Sequence, residues 1–220
     1  MPRALLGKAT QRTPSEGFFV MKSLSLIKVL AGALAVGGVI AQAETIATFA
    51  DPSPSGDTPV FTFTSAGGAG TLSGGWNGLG LTLQTPGLAA PDFADAQFTM
   101  PAVAATGGLG VWTLGTGSVN FFDSANNPLF TISFDSGVLT SPVGTGASDF
   151  VGNNVTFSGP IIPAGVLLNE AFAFSFANPR GTMENYTATS AFTSSADRIP
   201  EPSSLALLAL GSLVTLVRRR

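Results

Sequence analysis

The chain has 220 residues, among them 27 Gly, 15 Pro and 17 Phe, with no Cys, no His and only 10% charged side chains. A disulfide framework, a thiolate metal site and every catalytic arrangement built on histidine or cysteine are thereby excluded. The net charge of -3 hides a partition: from Glu44 to Ile199 eleven acidic residues stand against Arg180 and Arg198, and the other eight basic residues lie before residue 29 or after residue 217. So acidic a middle repels phosphate, and no nucleic-acid partner is expected.

Residues 1–20 stand before Met21, which reads as the true start of translation; otherwise they lengthen the basic front of the segment that begins there. From Met21 the chain has the parts of a secretory signal peptide in order, here placed at 21–43. Lys22 and Lys28 form the positive front, Val29 to Ile40 the uncharged core, and Ala41-Gln42-Ala43 the small-residue cleavage site. Cleavage after Ala43 leaves Glu44 as the mature N-terminus.

The body, 44–197, reads as all-β. Three stretches alternate strictly: "VFTFT", "FTISFD" and "FAFSFA" each put phenylalanine or isoleucine on one face and mostly small or polar residues on the other. Weaker strands are read at "TIATF", "LGLTL", "AQFTM", "GVWTL", "VNFF", "NVTFS" and "YTATSAF". Turn signals such as "DPSPSGD", "SGGWNG", "SANNP", "GTGASD" and "GNN" separate them, and "GPIIPAGVLLNEA" reads as a helical turn or a crossover loop. Short strands at this spacing predict a single β-sandwich or jelly-roll-like domain, with the phenylalanine faces as its core.

Within this body the acidic residues offer two chemistries. Asp92, Asp95, Asp123 and Asp149 are candidate oxygen ligands for calcium, but none sits in a recognised calcium loop, and Asp is also what Asx-turns require. The turn reading is preferred, so no cofactor is expected. A carboxylate pair for glycoside hydrolysis is the alternative function, but eleven acidic residues produce such pairs by chance. No catalytic residue is assigned. Trp76, Trp112 and Tyr186 are the large amphipathic rings that would stack on a sugar if exposed; core positions are the preferred reading.

At the C-terminal end, Ser203 to Val217 is free of charge and is followed by Arg218, Arg219 and Arg220. As a helix this segment spans roughly 22 Å, short of a full bilayer core, and arginine snorkelling extends its reach. Leucine and valine cover all its sides, so it predicts a membrane helix with a stop-transfer cluster rather than a core helix. Cations at both ends stay cytoplasmic, which places the body across the cytoplasmic membrane.

The order Pro200-Glu201-Pro202, apolar helix, terminal arginines resembles the PEP-CTERM sorting domain, over about residues 198–220. The resemblance implies an exosortase-like membrane enzyme as partner, processing at or near the proline-flanked glutamate, and a Gram-negative source with exopolysaccharide. It implies transient inner-membrane anchoring, then release to the cell surface or extracellular matrix as a structural, adhesive or glycan-contacting module. Independently of the resemblance, Pro200 and Pro202 bar a helix across Glu201 and hold the strip extended.

Overall fold

Where the sequence alternates, the backbone is extended and the phenylalanines point inward. The computed structural model describes residues 43–143, 148–163 and 167–198, all within one compact unit, Ile40–Arg220. Twelve strands follow one another: β1 (Ala43–Phe49), β2 (Phe61–Ala66), β3 (Ala69–Trp76), β4 (Gln97–Gly108), β5 (Val111–Leu114), β6 (Gly117–Phe122), β7 (Pro128–Phe134), β8 (Ser136–Thr140), β9 (Asp149–Asn153), β10 (Thr156–Ser158), β11 (Leu167–Gly181) and β12 (Asn185–Arg198). In β2, Phe61 and Phe63 are buried while Thr62 and Thr64 are exposed; β7 and β11 alternate in the same way. No helix occurs among the described residues, and none there is long and apolar enough to cross a membrane.

All strand pairings are antiparallel, and two long strands change partner along their length. β4 pairs with β6 through Gln97–Thr99 and with β5 through Ala105–Gly108. β12 pairs with β2 through Asn185–Ala188 and with β1 through Phe192–Asp197, while β11 runs along its other edge. Following the pairs from β4 through β3, β2, β12, β11, β9, β8 and β5 returns to β4, so eight strands close a barrel-like ring. β6, β7 and β10 extend the sheet from the early half of β4.

The class is all-β as expected, but the β-sandwich or jelly roll is not what the pairing describes. Those architectures need two sheets facing one another, whereas here hydrogen bonds join all twelve strands in one. Alternation says which face of a strand is buried; it carries no information on whether the two edges of a sheet meet. An eight-strand ring leaves an interior just wide enough for side chains, and phenylalanine fills it. Phe174 is the hub, with ring contacts to Phe49, Phe61, Phe98, Phe150, Phe172 and Phe192.

Other expectations meet mixed outcomes. "LGLTL" forms no strand; Leu83 and Gln84 make only isolated bridges, to Phe93 and Thr48. β3 and β9 run into "SGGWNG" and "GNN", where turns were expected, and β8 forms where no strand was read. Within "GPIIPAGVLLNEA", the stretch from Leu167 onward belongs to β11, and residues 164–166 lie outside the described residues.

Candidate processing site at the paired chain ends

The fold places Ala43, at the predicted leader cleavage, opposite Asp197, three positions before Pro200 in the sequence. β1 lies antiparallel to the end of β12, with Ala43 opposite Asp197 and Glu44 opposite Ala196. The expected leader cleavage bond, Ala43–Glu44, is therefore inside a hydrogen-bonded strand pair. On its other edge the end of β12 meets β11, with Leu167 opposite Arg198 and Leu168 opposite Asp197.

Three devices fasten this seam. The β1 register shifts between Thr45 and Ala47, so that Ile46 has no opposite residue on β12. Ser194, opposite buried Ala47, fastens the shift: its Oγ accepts from Ala47 N at 3.0 Å and donates to Ala47 O at 2.9 Å. Asn169, left-handed at φ 51° in the β11 irregularity, donates from Nδ2 to Asp197 Oδ2 at 2.7 Å. Arg198 Nε stands 3.7 Å from Glu44 Oε2, an ion pair too long for a hydrogen bond, and that buried Nε has no acceptor among the described residues.

Of the carboxylates proposed for calcium, Asp92 and Asp95 share the loop before β4, Asp123 lies between β6 and β7, and Asp149 is in β9. Asp92 Oδ1 accepts from Thr85 N at 3.1 Å, and Asp95 Oδ1 accepts from Gly80 N at 2.7 Å. Asp123 closes the turn between β6 and β7, its Oδ1 accepting from the backbone N–H of Ala125 and Asn127 and its Oδ2 from Asn127 Nδ2. Those bonds, led by the Asn127 amide, hold the Asp123 carboxyl below its usual range. Asp149 opens β9 opposite Ser175. Among the described residues no three acidic side chains converge as a metal site would require.

The aromatic candidates are core residues. Trp76, Trp112 and Tyr186 are buried, and Trp112 and Tyr186 both pack on Phe63, with ring centres 4.9 and 5.4 Å away. The indole N–H of each tryptophan and the Tyr186 hydroxyl have no partner among the described residues, and burial pushes the Tyr186 phenol well up. No ring among these three offers a face to a sugar.

Two features of the site carried no local signal. Ser194 is one serine in "FTSSAD", and only the register identifies it. Glu170 accepts from Phe157 N at 3.1 Å, bridging β10 to β11 where no strand pairing joins them. Partial burial raises its carboxyl above the usual range.

Ala41, Pro200, Glu201, Pro202, the apolar segment 203–217 and Arg218, Arg219 and Arg220 lie outside the described residues, as does the signal peptide before Ala43. No curated protein and no solved structure matches the chain. The described body thus ends at Arg198, and residues 198–220 match the PEP-CTERM protein-sorting motif. The chain carries that motif at its C-terminal end, which implies an exported protein processed by an exosortase-type membrane enzyme.

Proposed function

We propose that this protein is a structural or adhesive module of the cell surface or extracellular polysaccharide matrix. It is held at the inner membrane by its C-terminal helix until an exosortase-like enzyme processes it near Pro200-Glu201-Pro202. The observation that carries the reading is the sorting motif at 198–220, directly after the last strand of a body without a single lysine. Burial of Trp76, Trp112 and Tyr186 directs any glycan contact to the outer strand faces and loops instead. The acidic excess favours neutral glycan over anionic glycan, unless cations bridge the two.

The test is expression with and without an exosortase-type enzyme, following chain length and location. Wild-type protein is expected to lose its C-terminal segment and reach the surface only with the enzyme. Glu201→Ala and the triple replacement of Arg218, Arg219 and Arg220 by alanine are expected to retain the longer chain in the membrane fraction. Equal release of all forms without the enzyme would refute the reading. Co-sedimentation of the body with matrix polysaccharide, without release of reducing ends, would separate adhesion from hydrolysis.

A further inference from the structure

The pair Asn77–Gly78 occurs once in the sequence, directly after Trp76 at the end of β3. The residues from Asn77 to Gly80 are all exposed, and the Asn77 carboxamide makes no hydrogen bond among the described residues. We propose that Asn77–Gly78 is a self-modification site, where the chain converts without an enzyme to aspartate and isoaspartate and so loosens the loop that covers Trp76. Neither export nor sorting is needed for this chemistry.

The backbone nitrogen that follows an asparagine is an internal nucleophile for that residue's own Cγ. Glycine obstructs the approach least, having no side chain and the widest backbone freedom. The Gly78 nitrogen bonds to Asn77 Cγ, its proton goes to the departing nitrogen, and ammonia leaves behind a cyclic imide. Water then opens the ring: attack at Cγ yields aspartate, and attack at the main-chain carbonyl yields isoaspartate. Nothing is oxidised or reduced. Every other asparagine precedes proline, which has no N–H to lose, or a residue whose side chain crowds the attacking nitrogen. Several are also held: Asn154 and Asn169 donate from Nδ2 to Asp135 and Asp197, and Asn185 is bonded to the Ser65 backbone.

Gly78 lies on the Trp76 indole, where an added Cβ would stand 3.2 Å from Cζ2. Isoaspartate lengthens the main chain by a methylene between the two, so the cover no longer fits the ring. Either product also adds a carboxylate to a loop in which Asp95 Oδ1 already holds Gly80 N at 2.7 Å, and like charges repel.

The test holds the purified full-length chain in detergent micelles and mildly alkaline buffer. Peptide mass spectrometry follows each asparagine, and an isoaspartyl methyltransferase marks isoaspartate. Asn77 is expected to convert before every other asparagine, with tryptophan emission shifting to the red in step. Gly78→Ala is expected to slow the conversion by about tenfold, because a side chain now crowds the nitrogen. Asn77→Gln, which must close a larger ring, is expected to show neither conversion nor emission shift. Equal rates for wild type and Gly78→Ala, or earlier conversion of another asparagine, would overturn the site. An equally fast emission shift in Asn77→Gln, or conversion of wild type with no shift, would refute the loosening over Trp76.

Discussion

Gly152 on β9 lies so close to the Phe172 ring that a methyl group in place of its hydrogen would overlap ring atom Cε1. The same relation joins Gly137 to Phe150, where an added Cβ would stand 2.7 Å from Cε2, and Gly74 to Phe61. These strand glycines are the space the phenylalanine core occupies. Gly152→Ala is expected to cost about 1–3 kcal/mol through overpacking, measured by urea unfolding. No change in midpoint would show that the ring has another place to go.

The Ser194 hydroxyl supports both Ala47 polar groups at a β-bulge. Ser194→Ala strands a buried N–H and a buried C=O, and is expected to cost about 3 kcal/mol, at about 1–3 kcal/mol for each unpaired group. A loss below about half a kcal/mol would mean the bulge relaxes into regular pairing, where the backbone satisfies itself.

Glu170 and Asp123 have opposite pH signatures. Partial burial raises the Glu170 carboxyl, so its favourable contribution is complete below the ordinary glutamate range and is lost as pH rises through its folded value. Glu170→Gln keeps an acceptor for Phe157 N–H; the variant is expected to be more stable than wild type at pH 7 and to converge on it below about pH 4. Asp123 is held down by its turn bonds, so its contribution is present above the ordinary aspartate range and fades as pH falls through its lowered value. Melting curves at stepped pH check both; a pH-independent difference for Glu170→Gln would contradict the assignment.

The Tyr186 hydroxyl is buried without a partner among the described residues. Tyr186→Phe removes an unsatisfied group while leaving the ring, and is expected to stabilise by about 1 kcal/mol, or a rise of about 3 °C in Tm. Because burial raises the phenol, wild-type stability falls at strongly alkaline pH, and the variant lacks that loss. A lower Tm for the variant would place a buried water on the hydroxyl.

How much of this was legible in the sequence depends on the range of the cause. The faces of β2, β7 and β11 were readable because alternation of Phe with Thr, Ser or Ala is local. β3 and β9 were not, because Gly74 and Gly152 signal turns locally and are there for rings elsewhere in the chain. The sorting end was readable because membrane partition and terminal charge act over a short segment. The seam was not, since no pattern within β1 announces that Ala43 will meet Asp197.

The antiparallel placement of β1 beside the end of β12 also sets a mechanical response. Tension pulling Glu44 away from Arg198 loads the rungs one at a time, so the ends peel apart under little force. Tension entering the body through Arg198 instead drags a strand flanked by β11 on one edge and by β2 and β1 on the other, loading many rungs together. A body moored only by its C-terminus therefore withstands flow far better than one pulled by both ends.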